Sequence, residues 1–181
     1  MNIFYLSNSV DECAEWAVDR HVVKMVIETV QLLSTAHRIL DGVQYEGLTK
    51  TGRKAKRWRL PDSREAIFYG ATHVSHPSAV WVRQSKENYQ WLYSLLGAYL
   101  KEYTYRYEKT HSIESSGLFA ALASSPNNIP PKPFTQPTVA MDNKYIISND
   151  ARVNYKNYYK QGKSHLFAWK KRSMPEWIKE N

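Results

Sequence analysis

The stretch from Arg20 to Leu40, RHVVKMVIETVQLLSTAHRIL, constrains the fold more than any other part of the chain. His21, Lys24, Glu28, Gln31, Thr35 and Arg38 recur at alternating steps of three and four, which on a helix puts them in one line. The other positions are nearly all apolar, including Val22, Val23, Met25, Val26, Ile27, Val30, Leu32, Leu33, Ala36, Ile39 and Leu40. A helix apolar over most of its circumference is predicted to run through the interior, with its single polar stripe facing water or a cleft. His, Lys and Glu close together on that stripe are groups that can move protons in a cleft. The same stripe also fits a solvated edge of a core helix.

At 181 residues the chain suits one domain, residues 1–181, long enough to bury a core without staples. With 43% hydrophobic and 23% charged residues it reads as an ordinary globular protein. No apolar run approaches the roughly 20 residues of a membrane span. The N-terminal MNIFYLSNSVDE also lacks the basic and apolar regions of a secretory signal. The expectation is a cytoplasmic protein with no membrane partner. The lone Cys13 agrees, since it excludes an internal disulfide and a cysteine-based metal site.

A formal charge of +8 favours polyanionic partners through phosphate neutralisation, with membranes and acidic proteins as the competing explanations. Thirteen Tyr and six Trp accompany that charge, and aromatic residues interleaved with basic ones can stack on exposed bases. Most such rings also serve as core.

The fold expected is mainly α: a compact helical domain with a long central helix and extended loops. Asn2 to Leu6 reads as a short strand or a docked extended arm. Ser7, Asn8, Ser9 and Asp11 offer N-caps for a first helix carrying Cys13, Trp16 and Ala17, which breaks near Asp19 and Arg20. Asp41-Gly42 ends the central helix. Residues 42–64 show no clear periodic element; Lys50, Arg53, Lys54, Lys56, Arg57 and Arg59 crowd around Trp58, so a flexible basic loop is expected, solubilising or tracking a nucleic-acid backbone. Pro77 opens a helix with His76 or Ser75 at its cap, and Ala79 to about Glu108 reads as one long helix. His76 then stands where orphan amides favour an anion such as phosphate. A short helix is expected over 112–123. Pro126, Pro130, Pro131, Pro133 and Pro137 make 125–143 an extended loop, and Asn149 or Asp150 caps a last helix, Ala151 to Gln161, ended by Gly162. Arg152, Lys156 and Lys160 recur there at steps of four among Tyr155, Tyr158 and Tyr159, a basic aromatic face suited to a phosphate backbone.

There is no Walker-type loop, GxGxxG, HExxH, CxxC or GxSxG, so nucleotide hydrolysis, dinucleotide redox, common zinc chemistry and serine acyl hydrolysis have no motif behind them. No metal or cofactor is expected.

His21 followed seven residues later by Glu28, then His76 ahead of a long helix, then Tyr155-Lys156-Asn157-Tyr158-Tyr159-Lys160-Gln161-Gly162-Lys163, resembles in order and spacing the phage pyrimidine-dimer DNA glycosylase/AP lyase family of the endonuclease V type. The likeness touches about half the chain; the basic loop and the proline segment look like additions. It implies a small, basic, mostly helical, cofactor-free DNA-repair enzyme that acts on damaged or modified double-stranded DNA, flipping a base opposite the lesion and attacking the sugar. The nucleophile of that family is an N-terminal α-amine, a group less basic than a lysine and so partly neutral near neutral pH. Glu28 would match the carboxylate that stabilises the cationic intermediate and moves protons in β-elimination. His21 and His76 would orient sugar or phosphate, Arg152 and Lys156 would clamp the strand, and Arg57, Arg83, Tyr155 and Lys160 complete the residues expected at DNA. One departure bears on the nucleophile: the family exposes a small residue after loss of the initiator Met, whereas Asn2 is too large for that removal to be expected. The amine of Met1, or Lys24 one turn from Glu28, then takes the role, or the lyase chemistry is gone. The family's arginine near the catalytic Glu has no obvious counterpart among Val26, Ile27 and Gln31. A base-modifying transferase and a non-catalytic nucleic-acid-binding protein are the alternatives.

Overall fold

The computed structural model describes residues 1–49 and 51–179, and it is mainly helical around one contiguous apolar core. Lys50, counted in the basic run, lies outside the described residues. The central helix, α2 (Asp19–Asp41), follows a short α1 (Val10–Glu15) capped by the Ser9 side chain. Val22, Met25, Val26, Val30, Leu32, Leu33 and Ala36 are fully buried, as the apolar pattern predicts.

The break between α1 and α2 has a specific cause. Arg106 is fully buried and reaches into the joint, donating to the carbonyls of Glu15 and Ala17, each at 2.9 Å, and to the Asp19 carboxylate at 2.9 Å. Glu102, one turn away, holds the same guanidinium at 2.6 Å. A buried arginine is tolerated only when its N–H groups are so matched.

Asn2 to Leu6 is an extended, buried arm rather than a strand. Phe4 has φ 52, a left-handed conformation costing a non-glycine residue about 1–2 kcal/mol. Its ring packs at 4.2 Å on His21 and edge-on to Tyr155 and Tyr159, contacts that offset the strain. The resulting bend brings the chain's first residues to α2.

Three expectations are overturned. Residues 43–59 are not an irregular loop but an antiparallel hairpin, β1 (Val43–Leu48) with β2 (Lys54–Arg59), Val43 opposite Arg59 and Leu48 opposite Lys54. The turn needs Gly52 at φ 78, and Thr49 closes it by accepting from the Arg53 amide at 3.0 Å. The span from Ala79 to Glu108 is likewise two helices, not one: α4 (Pro77–Val82), then α5 (Lys86–Tyr107) after α3 (Arg64–Ile67) earlier in the chain. Ser85 starts α5 by accepting from the amides of Glu87 and Asn88. The apolar stripe continues in phase across this joint, which is why the break is invisible to periodicity.

The same joint pins the proline segment. Ser85 Oγ donates to the carbonyl of Pro133 at 2.9 Å, the Trp81 indole donates to Thr135 O at 3.0 Å, and Lys86 N donates to Pro130 O at 2.9 Å. Two short helices replace the expected single one, α6 (Ser112–Ser115) and α7 (Leu118–Ala121), separated by Gly117 at φ 77. The last long helix is α8 (Ala151–Gly162), capped by Asp150, and α9 (Glu176–Lys179) closes the described chain. Among the described residues no helix is long and apolar enough to cross a membrane.

Candidate active site

The polar stripe of α2 divides along its length. Lys24 is exposed, Glu28 and Gln31 are half-buried, and His21, Thr35 and Arg38 are buried. Only the Lys24–Glu28–Gln31 portion opens outward.

Glu28 is the meeting point. One carboxylate oxygen accepts from the backbone N–H of Asn2 at 3.2 Å, and the other pairs with Lys24 Nζ at 3.1 Å. The Glu28 side chain is 13% exposed and that of Lys24 66% exposed, so the carboxylate sits in the wall and the ammonium reaches into solvent. Asn2 itself is 7% exposed and locked: its Nδ2 donates to Ala140 O at 2.9 Å, and its Oδ1 accepts from Ile3 N at 2.9 Å. The buried first peptide N–H therefore fixes the Met1 α-amine one residue from the Glu28 carboxylate.

His76 lies within electrostatic range of these groups. Its Nδ1 accepts from the amide of Ser78 at 3.2 Å, the capping role that Pro77 at the first helical turn prepares. Burial lowers its pKa, the positive Met1 amine and His73 lower it further, and Glu28 opposes them. The four groups thus share one electrostatic neighbourhood, and His76 is biased towards the neutral imidazole. The loop before it is fastened to α2 by Thr35, whose hydroxyl donates to Thr72 O at 3.3 Å and accepts from Thr72 N at 3.2 Å.

Several expected site residues have other duties. His21 is not in the cleft: it is 4% exposed, stacked under Phe4, with Nδ1 2.5 Å from the Tyr159 hydroxyl. Burial, with Lys163 and Lys24 nearby, pushes its pKa down to about 3, so at neutral pH it is an uncharged core residue supporting the N-terminal arm. Tyr155 is fully buried and cannot lie along DNA. Arg83 turns back to hold the carbonyls of Val74 and Ala79 at 2.8 and 2.9 Å, which braces the His76 loop. Arg152 forks onto Asp150 at 2.5 Å. Lys156 lies over Trp16 and Trp177, 5.0 and 5.4 Å from the ring centres, and with Lys160 and Trp177 it lines a cavity of about 260 Å³ beside α8. Arg57 is on the hairpin, 3.4 Å from the Leu48 carbonyl.

Sequence reasoning missed Asn2 as an anchor and His73 as a neighbour of His76. No local signal marks Asn2, because its partners are 26 and 138 positions away. His73 was legible as the first histidine of Thr72-His73-Val74-Ser75-His76, and it stands at φ 49 beside the site.

What remains is an amine, a carboxylate and a neutral-biased imidazole drawn together, with a lysine at the rim. Such a set can form an imine with an aldehyde or a sugar carbon and shuttle the protons involved. Comparison with protein-family models, curated proteins and solved structures finds no match to this chain.

Proposed function

We propose that the protein is a DNA glycosylase/AP lyase acting on a damaged or modified base in double-stranded DNA, with the Met1 α-amine as nucleophile and Glu28 as the proton-handling carboxylate. The observation that carries it is the 3.2 Å bond between the Asn2 amide and Glu28, which fastens the chain's first residue to the carboxylate. Proximity of this kind replaces a bimolecular encounter by an intramolecular one.

In this reading the neutral amine nitrogen attacks C1′ as the bond to the base breaks; the base leaves with the bonding electron pair and takes a proton from water, and one amine proton passes to Glu28. The sugar ring opens, its oxygen takes that proton, and C1′ becomes the carbon of an imine. Glu28, again a carboxylate, removes a proton from C2′; the 3′ phosphate leaves, and water hydrolyses the imine to free the amine. His76 in its neutral form can hydrogen-bond the sugar or phosphate. Lys24 Nζ is engaged with Glu28 at 3.1 Å on a side chain that reaches into solvent, whereas the Asn2 N–H holds the Met1 end of the chain against the carboxylate, so Met1 is the better nucleophile.

The test is strand cleavage on duplexes carrying an abasic site or a thymine dimer, with wild type beside Glu28→Gln. The expected result is cleavage lost by about 100-fold or more in the variant, the usual weight of a positioned acid/base group. Wild-type binding without cleavage on either duplex would contradict the lyase reading and favour base modification or binding alone.

A further inference from the structure

No described residue of the β1–β2 hairpin belongs to the apolar core. Val43, Leu48 and Tyr45 are 70%, 66% and 41% exposed, unusual for apolar strand residues. By the register, Val43, Tyr45, Gly47, Ala55, Arg57 and Arg59 share one face; Gln44, Glu46, Leu48, Lys54, Lys56 and Trp58 share the other. Cations therefore stand on both faces and at the tip, where Arg53 adds to the turn. The lone acid is Glu46, paired with Lys54 at 2.8 Å.

A two-stranded ribbon is marginal in water, yet this one is deliberately held. At its root, buried Arg38 donates to the carbonyl of Trp58 at 3.2 Å and to those of Tyr69, Glu65 and Phe68 at 3.0, 3.0 and 2.7 Å, and it also binds the Glu65 carboxylate. Glu65 in turn accepts from the Leu60 amide at 2.8 Å. Higher up, the Arg59 guanidinium lies over the Tyr45 ring at 5.1 Å. The result is a preformed basic arm that buries little of its own.

We propose that this hairpin is a duplex-DNA arm that lies in the major groove beside the candidate site, with its Arg and Lys side chains on the flanking phosphates. The B-form major groove, about 12 Å wide, admits a two-stranded ribbon. The A-form groove of double-stranded RNA is too deep and narrow for it, and a single strand has no groove at all. Charge complementarity selects a polyanion over an apolar partner. Placement agrees: Glu28 lies on α2 and the hairpin starts just past the end of that helix, about 20 Å further along its axis at 1.5 Å per residue, less than the roughly 34 Å of one duplex turn. The proposal rests on the reading of the site as one that works on duplex DNA.

Two variants test it: the quadruple Arg53→Gln, Lys54→Gln, Lys56→Gln, Arg57→Gln, and a shortened hairpin in which residues 46–56 are replaced by an Asn-Gly turn. Both keep Trp58 and the Arg38 clamp, and circular dichroism checks the fold. Affinity is measured against salt for an undamaged DNA duplex, the matching single strand and a duplex RNA. Single-turnover cleavage of abasic duplex is measured at saturating protein. Wild type is expected to prefer the DNA duplex. The quadruple variant should lose about 10- to 100-fold in duplex affinity, with a salt slope lower by about 3.6, at roughly 0.9 per phosphate contact removed. Undiminished duplex affinity, or an equal loss on all three nucleic acids, overturns the arm. The site reading fails separately: wild type that binds duplex through the hairpin but cleaves nothing keeps the arm and removes the lyase.

Discussion

Glu28 and Arg38 stand ten residues apart on one stripe of α2 and have opposite fates. All five N–H groups of Arg38 have acceptors in the structure, and the residue is 5% exposed. Glu28 has one described donor on each oxygen, leaving it room to accept from or give a proton to a substrate. A charged residue that is saturated by its own fold is a structural clamp. One that is held at both oxygens yet half-open is a candidate for chemistry. The stripe alone does not separate the two; the partners do.

The sharpest break of that comparison is Arg38→Met. It leaves four carbonyls and the Glu65 carboxylate without their donor, so unfolding stability should drop by about 3–5 kcal/mol, read as a lower denaturant midpoint. Glu28→Gln should do the reverse, losing about 3 kcal/mol of transition-state stabilisation in cleavage while the denaturant midpoint moves by under about 1 kcal/mol. A Glu28 variant that fails to fold would erase the distinction.

Acid should expose the supporting role of the buried histidines. His21 and His37, the latter buried on α2 with Nε2 2.8 Å from the Tyr89 hydroxyl, have pKa values lowered to about 3 and about 4 against an ordinary 6.5, both chiefly because burial disfavours the imidazolium. The unfolded chain therefore binds more protons in between, so their stabilising contribution is complete above pH 6.5 and declines as pH falls towards 4. The slope approaches about 1.4 kcal/mol per pH unit for each histidine. Denaturant melts from pH 7 to pH 4.5 should show it, and His21→Gln should flatten the curve. The smallest effect is expected for Arg152→Gln: with its guanidinium already forked onto Asp150, duplex affinity should fall by less than about threefold, far below the hairpin variant.

Local chemistry made much of the fold readable. Ser9 and Asp150 as caps, Pro77 as a helix opener and Gly162 at a helix end all act within a turn of themselves. The hairpin was harder because its alternation, Val43-Gln44-Tyr45-Glu46, is short and basic charge dominates the second strand; the usable signal was Gly52 in the turn. Ser85 looked like one polar residue inside a long amphipathic run, and only its bonds to the proline segment mark the break. At the site, Glu28, Lys24 and His76 were legible from spacing, and His21 followed the same period into the core. Periodicity gives a direction around the helix, whereas what covers that direction is set by distant segments, here the arm bent at Phe4 and the loop carrying Ala140.

The most direct measurement of the central claim is borohydride trapping on an abasic duplex, with the adduct located by peptide mass and the protein's N-terminus read from intact mass. An adduct on the Met1 amine, lost when that amine is acetylated and retained in Lys24→Gln, is the predicted result. An adduct on Lys24 or another lysine, or none under conditions where the duplex is fully bound, would contradict it.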